Sequence, residues 1–85
     1  MYQLIIKPSA EKQAAKLPAQ TRLRITDALD GLKENPRPRG CVKLKGEGDF
    51  WRVRVGDYRV VYTIEDDKLV VLVVRVAHRK DVYNE

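Results

Sequence analysis

Arg52, Arg54 and Arg59 stand close together in the chain, with Gly56-Asp57 between the second and the third. Further on, His78, Arg79 and Lys80 are consecutive, and Tyr83 follows. Arginine presents a planar fork that matches phosphate oxygens. Several guanidiniums on one phosphate would also stabilise the charge of a pentavalent phosphoryl transition state. A histidine with an unperturbed pKa of about 6.5 suits proton transfer at neutral pH. A neighbouring tyrosine can stack on a base. These residue types point to the binding and breaking of a phosphodiester, provided that the fold brings them onto one surface.

The hairpin around Gly56-Asp57 decides that. A two-residue turn with glycine supplying positive φ predicts the pairs Val55 with Tyr58, Arg54 with Arg59, Val53 with Val60, Arg52 with Val61 and Trp51 with Tyr62. Side chains alternate faces along a strand. Trp51, Val53, Val55, Tyr58, Val60 and Tyr62 therefore fall on one side, to be covered by helices, and Arg52, Arg54 and Arg59 on the other. Like charges directly opposite in a sheet are destabilising, so Arg54 facing Arg59 suggests that an anion is needed there. Pairing Ile64 with Leu69 across the next turn predicts Val61 beside Leu72 and Arg59 beside Val74. Even-numbered residues of the last strand, His78 included, would then share the arginine face. The plainer alternative is a solvated sheet face whose arginines are paired separately with Asp49, Asp57 or Asp81. For His78 it is a strand-end residue hydrogen-bonded to the tail.

Other segments supply the frame. Tyr2 to Lys7 reads as a strand broken by Pro8-Ser9. Ser9 can cap a short helix with Ala10, Ala14 and Leu17 on one face and Glu11 in its first turn. Pro18 stops it. A second helix is expected from about Ala19 to Glu34, with Ile25, Ala28, Leu29 and Leu32 as the core stripe, ended by Asn35-Pro36. Strands follow at Val42 to Lys45, Phe50 to Val55, Tyr58 to Ile64 and Leu69 to Ala77. The continuous apolar run Leu69 to Val74 suits a strand covered on both faces. The expected fold class is α+β: an N-terminal strand, a helical hairpin, then a three- to four-stranded antiparallel sheet, all in a single domain over residues 1–85.

Composition narrows the function. Hydrophobic residues make up 44% and charged residues 34% of 85 residues, an ordinary globular balance. The single cysteine, Cys41, supports neither a disulfide framework nor a zinc site, and fits a reducing, cytoplasmic location. No signal peptide and no membrane span are expected. Gly46, Gly48 and Gly56 are turn residues, because no GxxxxGK[ST] or GxGxxG pattern is present. A net charge of +5 and a pI near 9.6 point to an anionic partner.

Taken together, "KLKG" at Lys43 to Gly46, "WRVRVGDYRVVY" at Trp51 to Tyr62 and "AHRKDVY" at Ala77 to Tyr83 resemble the RelE/ParE toxin superfamily, in its RelE branch. The "PSAEKQAAKL" and "DALDGLKENP" segments resemble the family's N-terminal helical hairpin. The resemblance implies the toxin of a type II toxin–antitoxin system, a ribosome-dependent endoribonuclease that cuts mRNA in the ribosomal A site. It implies 2′-hydroxyl attack leaving a 2′,3′-cyclic phosphate and a 5′-hydroxyl, no metal or organic cofactor, and a RelB-like antitoxin in a hetero-oligomer. It carries over a site of Arg52, Arg54, Arg59, Arg79 and Tyr83, with Lys43, Lys45 and Lys80 as further basic residues near the RNA. In the family the two strand positions are lysines, one a general base, whereas here they are Arg52 and Arg54. A guanidinium is essentially never deprotonated, so these two are assigned to phosphate binding. The base falls to His78, Tyr83 or a ribosomal group. Two competing functions are a ParE-like DNA gyrase poison without nuclease activity and an inert binding module.

Overall fold

The computed structural model describes residues 1–46 and 48–82, so Tyr83 lies outside the described residues. In chain order the elements are β1 (Gln3–Ile6), α1 (Pro8–Ala15), α2 (Ala19–Glu34), β2 (Val42–Lys43), β3 (Phe50–Val55), β4 (Tyr58–Glu65), β5 (Val70–His78) and α3 (Arg79–Val82). Proline sets the helix starts. Pro8 occupies the first turn of α1 and needs no amide partner there, so the helix begins with Lys7 as its N-cap and without a side-chain cap from Ser9. Pro18 precedes α2, and Asn35 turns extended before Pro36, where a helical conformation is sterically disfavoured.

The α+β class stands, with one difference in the sheet. Among the described residues it has five strands in the order β1-β5-β4-β3-β2. β1 is one of its two edge strands, parallel to β5 from Gln3↔Val70 to Ile6↔Val73, while the other pairings are antiparallel. The expected three- to four-stranded antiparallel sheet counted only neighbours linked by hairpins, and the partner of β1 lies at the far end of the chain. β5 is thus flanked on both sides, as its valine run suggested. Where β1 stops, Gln13 on α1 takes over: its Oε1 accepts the Val76 amide at 2.8 Å. β2 is shorter than expected, ending at Lys43.

Both long helices cover one face. Ala10, Ile25, Leu29 and Leu32 meet Val55, Val60, Tyr62, Val71, Val73 and Val76, with Trp51, Val53 and Tyr58 packed around them. Tyr62 is fully buried, and its hydroxyl donates to the buried Pro36 carbonyl at 2.7 Å. Burial pushes the Tyr62 phenol well above its usual range, and Cys41 beside it adds to the shift. At the surface, Arg37 grips Asp66 with both Nη atoms, at 3.1 and 2.8 Å, and lies 5.1 Å from the Trp51 ring centre. The Tyr2 hydroxyl donates to the same carboxylate at 2.7 Å. The α2–β2 connection, β1 and the β4–β5 turn are thereby fastened at one point.

Candidate functional site

The β3–β4 hairpin has the predicted register throughout, from Phe50↔Thr63 to Val55↔Tyr58. Gly56 takes φ +60° at its turn. The β4–β5 pairing departs from expectation twice. Leu69 belongs to the turn, in a left-handed conformation at φ 54°, so Ile64 pairs with Val71 rather than with Leu69. Further along, Tyr62 pairs with Val73 but Val61 pairs with Arg75. Val74 is the extra residue of a β-bulge. Because side chains alternate, one extra residue exchanges the faces of everything beyond it.

That exchange remakes the site. His78 pairs with Tyr58 and meets its ring edge-on at 5.4 Å, so it stands on the helix-side face, away from the arginines. Its Nδ1 accepts the Lys80 amide at 3.3 Å, the strand-end role named as the alternative. Arg75 takes the place expected for His78. It shares a rung with Val61 and Arg52, and the next rung holds Ala77, Arg59 and Arg54. Strands lie about 4.8 Å apart and same-face residues about 6.6 Å apart along a strand. Four arginines therefore rise from a patch of backbone roughly 10 Å across.

Within that patch the environments differ. Arg59 is 7% exposed, a buried charge among the described residues. Its guanidinium lies at the floor of the patch. Arg52 and Arg75 are half-buried beside it and Arg54 is exposed. The Arg54 Nε donates to the Gly56 carbonyl at 3.0 Å, which draws its guanidinium towards the hairpin turn. Arg79 opens α3, and its amide donates to the Asp57 carbonyl at 2.8 Å, so it is pinned at that same turn. Lys80 is exposed next to it. Lys43 pairs with Trp51, opposite the arginine face, and its Nζ lies 3.4 Å from Asp49. Lys45 is exposed beyond the end of β2. Beside the arginines the same sheet face forms an open groove of about 560 Å³ between Leu44, Phe50, Val61, Leu72 and Val74, with Lys7 and Arg75 at its border.

A family model described as the ParE toxin of type II toxin–antitoxin systems, parDE, matches residues 4–83. The mRNA interferase toxin RelE of Escherichia coli K12 is 33% identical, over 99% of this chain and 92% of that protein. The chain belongs to the RelE/ParE toxin superfamily. Its relatives place it in the RelE-like branch. Toxin RelG of Mycobacterium tuberculosis is 28% identical over 96% of this chain and 95% of its own length. The archaeal RelE–RelB complex from Pyrococcus horikoshii OT3 contains a chain that superposes with a TM-score of 0.83 at 31% identity, covering 92% of this chain and 94% of that one. The intact E. coli RelBE complex gives 0.80 at 31% identity, covering 92% and 96%.

For a RelE-like chain, the basic surface extends past the residues that the motifs picked out. Arg75 went unnoticed because a regular strand would have aimed it at the helices. Arg24 of α2 went unnoticed because a helix reading places it off the core stripe and says nothing of what it meets. Among the described residues no cluster of His, Cys, Asp and Glu is suited to a metal ion, and no helix is long and apolar enough to cross a membrane.

Proposed function

We propose that this chain is the toxin of a type II toxin–antitoxin pair and that it cuts mRNA in the ribosomal A site, in the cytoplasm. The observation that carries the reading is the arginine patch, with the buried Arg59 at its floor, on a chain one-third identical to an mRNA interferase. In the proposed reaction the 2′-oxygen of one nucleotide attacks its own 3′-phosphate. The new O–P bond forms as the bond to the 5′-oxygen of the next nucleotide breaks. The products are a 2′,3′-cyclic phosphate and a 5′-hydroxyl; one proton leaves the 2′-oxygen and one joins the 5′-oxygen. Arg59 and Arg52 neutralise the phosphoryl oxygens, Arg54 and Arg75 hold flanking phosphate, and Arg79 stands by the leaving oxygen. This charge set replaces a metal.

The base is assigned away from the patch. Arginine cannot serve, and His78 faces the opposite side. Tyr83 or a ribosomal group takes the proton, and Tyr83 orients a base. A RelB-like antitoxin, as in the complexes of the similar chains, covers the groove between Leu44 and Val74 with an apolar segment bearing acidic residues that complement Lys7 and Arg75.

The test is 5′-end mapping of a message in a translation extract dosed with the purified protein, with and without ribosomes. Cuts inside A-site codons that require ribosomes are the expected result. An intact message sinks the proposal. Gyrase-dependent DNA breaks instead would favour the second reading, a gyrase poison, which the ParE description of the matching family model supports.

A further inference from the structure

A second basic site lies at the β3–β4 turn, at the end of the arginine patch. A pocket of about 240 Å³ opens there between Thr21 and Arg24 of α2 and Arg54, Val55, Gly56, Asp57 and Tyr58 of the hairpin. Two guanidiniums converge on one glycine. Arg54 binds the Gly56 carbonyl through Nε. Arg24 lies close by: a methyl group built on Gly56 would come 3.4 Å from its Nη1. Glycine is needed there for φ +60°, and the Arg24 guanidinium packs at van der Waals distance above it.

Among the described residues neither arginine has a carboxylate within salt-bridge distance, unlike Arg37 with Asp66. Among the described residues, one of the five N–H donors of Arg54 is used. Thr21, a hydroxyl-bearing residue, also lines the pocket. Asp57 borders the pocket and opposes an anion from the rim. Two forks with free donors around a concavity that Thr21 also lines match a tetrahedral oxyanion.

We propose that Arg24 and Arg54, with Thr21, form a phosphodiester-binding subsite that holds an RNA backbone phosphate beyond the scissile one. It rests on the RNA-cleavage reading above. Arg54 joins the two sites: it stands on the patch by its strand register and on the turn by its hydrogen bond. The phosphate has two sources, the message or ribosomal RNA, and the chemistry is the same for both.

Binding of the full chain to a fluorescent RNA oligonucleotide, made uncleavable by 2′-deoxy substitution, and to ribosomes free of mRNA tests the subsite across a salt series. Arg24→Ala should weaken binding about tenfold, as for loss of one charge-assisted hydrogen bond. It should also flatten the logarithmic salt slope by about 0.7 for a single strand. Arg22→Ala removes the same charge from the same helix outside the pocket and should do neither. Asp57→Asn should tighten binding. Loss on the oligonucleotide assigns the phosphate to the message; loss on ribosomes alone assigns it to ribosomal RNA. Arg24→Ala behaving like Arg22→Ala on both ligands overturns the subsite, whether or not the wild type cuts mRNA. A wild type that binds RNA through Arg24 yet cleaves nothing leaves the subsite standing and removes the nuclease.

Discussion

Tyr62→Phe removes one oxygen atom and little else, from a fully buried side chain on the strand that carries Arg59. Its hydroxyl is a hydrogen-bond donor to the Pro36 carbonyl at 2.7 Å, and Pro36 is itself buried. Phenylalanine fills the same space but strands that carbonyl without a donor, which costs about 1–3 kcal/mol. Unfolding entropy of about 2.1 cal/mol/K per residue means that each kcal/mol shifts the midpoint of an 85-residue domain by about 5–6 °C. A loss near 1.5 kcal/mol therefore lowers Tm by about 8 °C. Urea unfolding should show a lower midpoint with an unchanged slope, and RNA cleavage per folded molecule should not change. The wild type carries a second signature. Its phenol titrates higher folded than unfolded, so the linked stability is complete below the unfolded value of about 10 and is lost as pH rises towards the folded value. Tyr62→Phe should lack that alkaline decline. Equal stability of the two proteins at neutral pH, or the same alkaline decline in both, would refute the bond's assigned role.

Other outcomes follow from the site and its supports. Arg59→Ala and Arg79→Ala should each reduce ribosome-dependent cleavage about 10²- to 10³-fold, as for other lost transition-state donors, by single-turnover 5′-end mapping. His78→Ala should keep cleavage within a few-fold of wild type; a loss as deep as that of Arg59→Ala would return the base to His78. The Asp66 carboxyl, held at about 2 by hydrogen bonds from Arg37 and then Tyr2, supports the fold above the unfolded value of about 4 and ceases to as pH falls through about 2. Asp66→Asn should therefore flatten acid denaturation curves over that window. Val74→Asp, in the open groove, should weaken capture by the cognate antitoxin in calorimetry while leaving the melting temperature nearly unchanged.

Much of this was open to reading in the chain, and each failure has a physical cause. The β3–β4 hairpin was predictable because Gly56-Asp57 fixes the turn and the alternation of valine with arginine fixes the faces. The helices were predictable from prolines and an apolar stripe. In β5 the run of valines is apolar on both faces, so periodicity cannot fix its register or reveal a bulge. A signal was nevertheless present. With Val71 and Val73 inward, regular alternation would drive Arg75 into the helices, and a charge there is costly. That conflict marks an irregularity between Val73 and Arg75, where the bulge lies. The parallel pairing of β1 left no comparable trace, because no local turn links it to β5. The Arg24 pocket is a meeting of helix and hairpin, and spacing along either one is silent about it. The roles of Arg52, Arg54, Arg59, Arg79, Lys43, Lys45, Lys80 and Tyr83 in binding or catalysis remain proposals for the measurements above.

The parallel pairing of β1 with β5 has a consequence for the order of synthesis. Gln3 is made before every other element described here, yet its partner is Val70. Long-range pairing of this kind waits on closure of the loop between residues 3 and 70. A nascent polypeptide that ends before β5 can form its two helices and the β3–β4 hairpin, but the first strand has nothing to join and the rung of Arg52 has no Arg75. An interrupted message then yields fragments without the full arginine patch. For a protein proposed to cut messages during translation, harm to the ribosome that makes it is deferred until β5 has been made.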